Sequence, residues 1–425
     1  MRIMVIGGGG REYGIAKKLS EDERVDKLFV LPGNGGMEDF AECVPIKATD
    51  LEGACAFAKE NEIDFAVVTP DDPLAMGMAD ALRALGIPCF GPNKAAARIE
   101  SSKIFSKELM QKYGIPTASA VSLSSSCEAR EYIKTAELPL VVKADGLALG
   151  KGVYICRSLE EAEEAVSELM DNRLFGASGE RVLIEEFLEG PEVTVLSFAD
   201  GKTVVPMVAS MDHKTIGEGG TGPNTGGMGV IAPNPFYTPE IAKECMERIF
   251  LPTVRAMAEE GCPFTGCLYF GLMLTKNGPK VIEYNSRFGD PEAQTVLPLM
   301  ETPLLDAMLA TEYGTLSETP VKFSDKAACC VVLVSGGYPG KYEKGLPIEF
   351  GELDDDTIVV HAGTKKTEEG YVTNGGRVLN VIRVENTLEE AVRKAYEEAE
   401  KISFPGVYMR KDIGRTALLA LAERD

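Results

Sequence analysis

The feature that most constrains the fold is the regular alternation of strand and helix patterns near the start of the chain. Short runs of apolar and β-branched residues predict strands at Arg2–Ile6, Lys27–Leu31, Ile63–Thr69 and Ile87–Phe90. Helical patterns lie between these runs, around Tyr13–Ser20, Leu51–Glu60 and Pro73–Leu85. Strands that alternate with helices build parallel sheets with helices on both faces. The sequence therefore predicts a small, doubly covered parallel sheet.

The rest of the chain mixes strands and helices and divides into two further parts. In the middle, the patterns predict strands at Leu138–Lys143, Arg181–Phe187, Glu192–Phe198 and Thr203–Val208, and helices at Ser102–Tyr113, Leu159–Met170 and Pro239–Glu260. After Thr319-Pro320 they predict strands at Ala327–Ser335 and Val378–Val384, and a helix over Leu388–Ile402. We therefore expect a mixed α/β protein of three parts.

Composition disfavours several classes of protein. The chain has 425 residues and a formal net charge of −22, which argues against nucleic acid or an anionic membrane as partner. It contains only two histidines, and its ten cysteines include no Cys-x-x-Cys pair, so a zinc site is not expected. No apolar run could span a bilayer, and Met1–Ile6 leads into a glycine turn and not into a signal peptide. We expect a cytoplasmic protein.

The strongest chemical signal is the segment Glu283–Glu292, which follows the apolar run Lys280–Ile282. Residues two apart on a strand share a face, so Glu283, Asn285 and Arg287 are predicted to enter one cleft. Glutamate and asparagine supply the oxygen ligands that Mg²⁺ prefers, and the arginine fork suits phosphate or acyl-phosphate oxygens. The alternative is a structural ion pair at an exposed strand end.

The glycine run Gly7–Gly10, followed by Arg11 and Glu12, joins the first strand to the first helix. Backbone N–H groups there could bind an anion. The spacing also fits a dinucleotide fingerprint, but Glu12 replaces the third glycine, and Leu31–Asn34 offers no ribose-binding acid. A phosphate site is the favoured interpretation, and an NAD site is the alternative.

A second glycine loop, Lys143–Val153, joins two predicted strands and lacks the Walker spacing. Lys143 and Lys151 place positive charge at both ends of this loop. The pattern favours a flap over a triphosphate, and an ordinary hairpin is the alternative.

Two further segments are candidates for ligand contact. The strand Val182–Gly190 could present backbone groups to a base, with Glu192 near a ribose, although a solvated acidic turn is equally consistent. The segment Asp212–Gly229 holds seven glycines in eighteen residues, which predicts a substrate loop without regular structure. Within it, His213 is expected to be a structural hydrogen-bonding residue.

Taken in order, these segments resemble the phosphoribosylamine–glycine ligases, a family of the ATP-grasp superfamily. The resemblance is strongest in Arg287–Glu292 and in Gly222–Gly229, and it covers essentially the whole chain. It continues through Ser102-Lys103, Ile184–Gly190, Ser335–Gly340, His361–Thr364, Thr373–Leu379 and Arg410–Gly414.

The resemblance implies a fold and a reaction. It implies an N-terminal Rossmann-like domain over 1–101, an ATP-grasp domain over 102–325 with a lid at about 122–190, and a small β-rich domain over 326–425. Such enzymes use ATP and Mg²⁺, or Mn²⁺, to convert glycine into glycyl phosphate. The amine of 5-phosphoribosylamine then attacks this intermediate, giving glycinamide ribonucleotide, ADP and phosphate in purine biosynthesis.

The resemblance also implies site residues in this chain. The nucleotide would contact Lys103, Lys143, Gly150, Lys151, Glu185, Leu188 and Glu192, and the metal would bind Glu283 and Asn285. Arg287 and Asp290 are the implied catalytic residues. The substrates would contact Gly9, Gly10, Arg11, Glu12, Asp71, Asp212, Lys214, Asn224 and Arg377.

The chain departs from the usual family pattern at Tyr13, Asp71, Thr215 and Gly220. Three alternatives stay open at this point: an ATP-grasp ligase with another acyl acceptor, an NAD-dependent oxidoreductase, and a non-catalytic nucleotide-binding module. We expect a single activity and a monomer.

Overall fold

The computed structural model describes residues 1–147, 152–174 and 176–423. Its N-terminal part begins with a parallel sheet. The elements are β1 (Arg2–Gly7), α1 (Gly10–Ser20), β2 (Lys27–Pro32), β3 (Glu42–Cys43), α2 (Leu51–Glu60), β4 (Phe65–Val68), α3 (Asp71–Met76), α4 (Met78–Ala84), β5 (Cys89–Phe90) and α5 (Lys94–Ser101). The five strands pair in parallel in the order β3-β2-β1-β4-β5. Residues Ile3–Ile6 of β1 are completely buried, as expected for a central strand covered on both faces.

The middle part contains most of the remaining elements. They are α6 (Lys103–Tyr113), β6 (Ala120–Leu123), α7 (Ser126–Ile133), β7 (Leu140–Ala144), β8 (Val153–Cys156), α8 (Leu159–Val166), β9 (Val182–Glu186), β10 (Glu192–Asp200), β11 (Val204–Pro206), β12 (Met211–Asp212), β13 (Thr215–Gly217), β14 (Thr221–Asn224), β15 (Gly229–Ala232), α9 (Pro239–Cys245), α10 (Leu251–Glu259), β16 (Thr265–Thr275), β17 (Gly278–Asn285), α11 (Glu292–Val296) and α12 (Leu304–Tyr313). A π-helical stretch, Met246–Phe250, joins α9 to α10.

Two antiparallel sheets frame this middle part. One has the order β6-β9-β7-β8 and the other β11-β10-β16-β17. Each sheet has its own apolar core, because α7 and α8 pack on the first and α9 and α10 on the second. The sheets meet where Lys143 Nζ of β7 donates to the carbonyl of Ile282 in β17 at 3.2 Å. The functional side chains lie around this junction.

The C-terminal part adds β18 (Ala327–Val334), β19 (Glu349–Phe350), β20 (Ile358–His361), β21 (Thr364–Thr367), β22 (Gly370–Thr373), β23 (Arg377–Glu385), α13 (Leu388–Ala399), β24 (Ile402–Ser403) and α14 (Arg415–Ala422). Its main sheet has the order β12-β15-β18-β23-β20. Two of these strands, β12 and β15, come from the middle of the chain. The glycine-rich segment between them is therefore fastened to the C-terminal sheet.

The structure confirms the mixed α/β class and the N-terminal parallel sheet. The helical pattern over Pro73–Leu85 forms two helices, because Gly77 adopts a φ of 98° between them. The prediction that Asp212–Gly229 lacks regular structure was wrong. Two of its glycines with positive φ, Gly219 and Gly220, form the turn that lets β13 pair with β14. Within the described residues, no helix is long and apolar enough to cross a membrane.

Candidate active site

The predicted metal and phosphate residues lie together at the end of β17. Pairing with β16 sets Glu283 opposite Gly271 and Asn285 opposite Tyr269, so both side chains leave the same face of the sheet. Arg287 follows in the next loop, and its Nη2 lies 3.4 Å from Asn285 Oδ1. The structure therefore brings the three predicted residues into one cluster.

Lys214 contacts two carboxylates of this cleft. Its Nζ lies 3.4 Å from Glu283 Oε1 and 3.4 Å from Glu192 Oε2. Burial would lower the pKa of Lys214, but the two glutamates raise it well above its usual value. Burial would raise the pKa of Glu283, but Lys214, Lys143 and Lys103 lower it. Glu283 is therefore ionised, and its long contact with Lys214 leaves it available to a ligand.

Arg287 is paired with an acid from the N-terminal part. Its Nη2 lies 2.8 Å from Glu100 Oε1. Burial would lower the pKa of Arg287, but the charges of Glu100 and Asp71 raise it above its usual value. Asp71, a predicted substrate residue, begins α3 and lies close enough to Arg287 for its charge to act on that side chain. Sequence reasoning missed Glu100, because no local pattern links it to Arg287.

A buried ion cluster supports the predicted nucleotide residues. Lys143 Nζ lies 2.8 Å from Glu185 Oε2, and Lys107 Nζ lies 3.0 Å from Glu185 Oε1. Burial would raise the pKa of Glu185, but the two lysines lower it. Both carboxylate oxygens are thus engaged, and Glu185 positions Lys143. Lys107 was missed, although its position four residues after Lys103 on α6 is a spacing that could have revealed it.

Lys103 lies at the root of the predicted flap. Its Nζ donates to the carbonyl of Gly146 at 2.8 Å. The neighbouring Asp145 accepts from Ser102 Oγ at 3.0 Å and from Arg181 Nη2 at 2.6 Å. Because Ser102 also caps α6, the first turn of that helix and the start of the flap form one connected unit.

The flap itself is described only at its two ends. Strands β7 and β8 pair with Lys143 opposite Val153, as the strand–loop–strand pattern predicts. Gly150 and Lys151, two predicted nucleotide residues, lie outside the described residues. Leu188, the predicted base contact, lies half-buried in the turn between β9 and β10.

The first glycine loop leads β1 into α1, as predicted. Glu12 Oε2 accepts from the backbone N–H of Gly9 at 2.8 Å, and Glu12 Oε1 accepts from Thr69 Oγ1 at 2.7 Å. Arg11 Nε also donates to Glu12 Oε1. In an NAD site, donors at this helix terminus would face the pyrophosphate. Because Glu12 occupies one of them, the geometry argues against the NAD alternative.

Asp290 and Arg377 form the opposite wall of the cleft. Arg377 Nη2 lies 3.2 Å from Asp290 Oδ1, and Arg377 Nη1 donates to the carbonyls of Gly226 at 2.6 Å and Asp290 at 2.7 Å. Asp290 also accepts from Gln294 Nε2 at 2.6 Å and from the N–H of Arg11 at 3.4 Å. Burial would raise the pKa of Asp290, but Arg377 and Arg11 lower it. The predicted acceptor residues are thus joined to one another.

Asp212 and Glu292 are two buried carboxyl groups of this cleft, close enough for the charge of one to act on the other. Asp212 Oδ1 is buried and has no hydrogen-bond partner within the described part of the chain. Burial raises the pKa of Asp212, and the charge of Glu292 raises it further. A cationic group would relieve this repulsion, so the pair suits an ammonium ligand. Asn224, by contrast, is exposed at the end of β14, opposite Thr215.

Glu283 and Asn285 fit a divalent cation. Glu283 is ionised and Asn285 Oδ1 lies 3.4 Å from Arg287 Nη2, so both oxygens are held only loosely by the protein. Among residues 1–147, 152–174 and 176–423, no group of three or more His, Cys, Asp or Glu side chains could hold a metal ion. The other ligands would then be phosphate oxygens and water, as Mg²⁺ commonly requires.

The protein belongs to the ATP-grasp class, as its two antiparallel sheets, its flap strands and the lysines beside them indicate. Comparisons with known protein families support this class. Residues 1–100, 101–293 and 328–416 match the family models for the N domain, the ATP-grasp (A) domain and the C domain of phosphoribosylglycinamide synthetase. The chain therefore belongs to the phosphoribosylglycinamide synthetase family, which confirms the resemblance.

Individual relatives match over nearly their full length. The phosphoribosylamine–glycine ligase of Halalkalibacterium halodurans is 46% identical over 98% of this chain and 97% of its own. That of Vibrio parahaemolyticus is 45% identical over 100% of both chains.

Solved structures agree with the fold. The crystal structure of the Thermotoga maritima phosphoribosylamine–glycine ligase has a TM-score of 0.85 and 35% identity, covering 97% of this chain and 100% of that one. The biotin carboxylase domain of Hydrogenobacter thermophilus 2-oxoglutarate carboxylase, solved with MgADP, has a TM-score of 0.74 over 96% of this chain and 91% of that one. At 18% identity it supports the ATP-grasp fold alone.

Proposed function

We propose that the protein uses ATP to activate the carboxylate of glycine and joins it to the amine of 5-phosphoribosylamine. Family membership makes it an ATP-dependent ligase of purine biosynthesis, with ATP as nucleotide substrate and a divalent metal as cofactor. The observation that carries the mechanism is the convergence of Glu283, Asn285 and Arg287 beside Lys143.

In the first half-reaction, a glycine carboxylate oxygen attacks the γ-phosphorus, and the bond to the ADP oxygen breaks. Lys103 and Lys143 neutralise phosphate charge, and Arg287 stabilises the transferring phosphoryl group. Glu283 and Asn285 would hold Mg²⁺, or Mn²⁺, which neutralises charge on the β- and γ-phosphates. Glycyl phosphate and ADP result.

The nucleotide is held by the layers on either side of this cluster. Leu188 and the end of β9 offer backbone groups to the adenine, and Glu192 offers a carboxylate to the ribose. Glu185 orients Lys143 from beneath, through the 2.8 Å ion pair. In our proposal, Gly150 and Lys151 close over the phosphates.

Glycine is proposed to bind between the two walls. Its α-ammonium meets Asp212, whose Oδ1 is buried and lacks a protein partner within the described residues. Lys214 lies next to Glu283 and balances the negative charge of the pocket. Asn224, at the rim, contacts the substrate from the glycine-rich segment.

The second half-reaction takes place at the acceptor wall. The amine of phosphoribosylamine attacks the glycyl carbonyl, the C–N bond forms, and the C–O bond to phosphate breaks as the amine releases a proton. We propose that Gly9, Gly10, Arg11 and Glu12 contact this substrate from the start of α1. Arg377 binds its 5-phosphate, and Asp290 holds Arg377 and Arg11 in place. Asp71 completes the site from α3.

A coupled assay tests the proposal. We expect ADP release to require ATP, glycine and freshly generated phosphoribosylamine, each omitted in turn, and glycinamide ribonucleotide to accumulate in equal amount. The matched blank is Arg287→Ala, which loses the proposed clamp. Equal or faster ADP release with another amino acid would contradict the assignment.

The remaining properties extend the proposal. The net charge of −22 supports small-molecule substrates over nucleic acid or membrane partners. The cytoplasmic location, the monomeric state and the division at residues 101 and 325 remain predictions. Light scattering of the full chain can test the monomeric state, and limited proteolysis can test the division.

A further inference from the structure

Within the described residues, Glu100 makes three polar contacts, all with the segment that carries Arg287. Its Oε1 lies 2.8 Å from Arg287 Nη2. Its Oε2 accepts from the N–H of Ser286 at 2.8 Å and from Ser286 Oγ at 2.9 Å. Only 8% of Glu100 is exposed, so water competes little for these bonds. The Glu100 side chain thus fixes two groups, the backbone of Ser286 and the guanidinium of Arg287.

The guanidinium of Arg287 is held at one end and open at the other. Nη2 meets Glu100, and Nη1 donates to the carbonyl of Phe288 at 3.3 Å. Nε is buried and has no hydrogen-bond partner among the described residues. A buried donor without a partner is costly unless a ligand completes it. This pattern leaves a donor ready for an oxygen of the transferring group.

Glu100 belongs to the last turn of α5, three residues before Lys103. The same chain segment therefore sets both a phosphate lysine and the clamp arginine. We propose that Glu100 is a positioning residue for Arg287, through which the N-terminal part of the protein fixes the geometry of phosphoryl transfer. This inference rests on the proposed function, because it needs Arg287 to act on the reacting group.

The test compares kcat and KM for Glu100→Gln, Arg287→Ala and the double variant. Glutamine retains an oxygen for Ser286 but loses the charge that holds Arg287. A displacement of about 1 Å costs on the order of 10²-fold in rate, so we expect Glu100→Gln to lower kcat about 10- to 100-fold. KM for ATP and for glycine should stay within about twofold, because neither substrate contacts Glu100. If Glu100 acts through Arg287, the double variant matches Arg287→Ala alone.

The control is Glu312→Gln. Arg83 Nη2 lies 2.6 Å from Glu312 Oε2, and this ion pair also joins an N-terminal helix to a later one, away from the cleft residues. Glu312→Gln should leave kcat unchanged whatever happens to its melting temperature. If Glu100→Gln does not fold, Ser286→Ala is the second variant. It removes one hydrogen bond to Glu100 and keeps the ion pair with Arg287, so kcat should fall about twofold to fivefold.

The outcomes separate this inference from the proposed function. A normal kcat in Arg287→Ala would show that Arg287 does not stabilise the transferring group. Glu100 would then have no catalytic residue to position. A slow Arg287→Ala beside a normal Glu100→Gln overturns only the positioning role. Losses that multiply in the double variant also overturn it, because Glu100 would then act independently. Matching rates in Arg287→Ala and the double variant support it.

Discussion

Arg287 and Arg377 enter the same cleft but are held in different ways. Arg287 has one strong partner, Glu100 at 2.8 Å, and a buried Nε that no described residue satisfies. Arg377 bonds to Asp290 through its side chain and to the carbonyls of Gly226 and Asp290. The first is prepared for a ligand. The second already joins three segments of the protein.

The difference predicts where each loss should act. Arg287 has an open donor for the transferring group, so its removal should lower the rate of phosphoryl transfer. Both arginines also contribute to stability, because the removal of either leaves a buried carboxylate, Glu100 or Asp290, beside fewer cations. For Arg287 we therefore expect a fall in kcat beyond what the loss of stability explains, whereas for Arg377 binding and stability should change together.

The largest expected effect is that of Arg287→Ala. Removing one preorganised donor from a transition state typically costs about 10²–10³ in kcat. We expect a loss of that size, with the KM for ATP changed little. Steady-state kinetics beside thermal unfolding measures both. A melting temperature that falls while kcat stays near normal would make Arg287 only a structural partner of Glu100.

Glu283→Gln should have the next largest effect. The substitution removes one charged metal ligand, so activity at low Mg²⁺ should fall roughly 10- to 100-fold and recover in part at high Mg²⁺. A Mg²⁺ titration of the rate measures this. Glu192→Gln is the comparison, since Glu192 lies at the same 3.4 Å from Lys214. It should raise the KM for ATP without changing the Mg²⁺ requirement. Equal Mg²⁺ dependence in both variants would contradict the assignment.

Arg377→Ala should act on the acceptor. We expect the KM for phosphoribosylamine to rise about tenfold, or roughly 1.4 kcal/mol, while ATP binding is retained. Melting temperature should also fall, because three contacts are lost. Arg377→Lys keeps the charge but not the fork, so it separates the two effects. An unchanged dependence on phosphoribosylamine would remove Arg377 from the site.

The smallest expected effect concerns acid pH. Burial and, second to it, the charge of Arg410 lower the pKa of His213 from 6.5 to about 4. The ring lies between the carbonyl of Gly229 and the N–H of Gly414, which donates to Nε2. Between pH 6.5 and pH 4 the unfolded chain binds a proton that the folded one does not, so stability is complete above pH 6.5 and declines as the pH falls. At pH 5.5 the loss is about 1.4 kcal/mol.

Melting temperatures at pH 7.5 and pH 5.5 measure this effect. In His213→Gln the acid-induced decrease should be smaller than in the unchanged protein. His361, whose pKa burial also lowers to about 4, offers a second variant for the same measurement. Identical acid decreases in all three proteins would show that neither histidine contributes.

Several features followed from local sequence alone. The alternation at the start of the chain predicted the parallel sheet, since side-chain periodicity reports the face that each element buries. The spacing of Glu283, Asn285 and Arg287 predicted their cluster, because a strand repeats every two residues. The type of turn in Asp212–Gly229 could not be obtained this way. Its glycines permit many conformations, and pairing with the C-terminal sheet selects one.

By itself, the sequence determined which chemical groups are present and how neighbours within one element are oriented. Only the tertiary structure decided which groups face one another across elements. Glu100 meets Ser286 from 186 residues away, and Arg377 meets Asp290 from 87 residues away. Such contacts depend on how sheets and helices pack together, and no local periodicity in the sequence predicts that packing. The same is true of the ion pair between Lys107 of α6 and Glu185 of β9, because it forms only when that helix and that strand pack together.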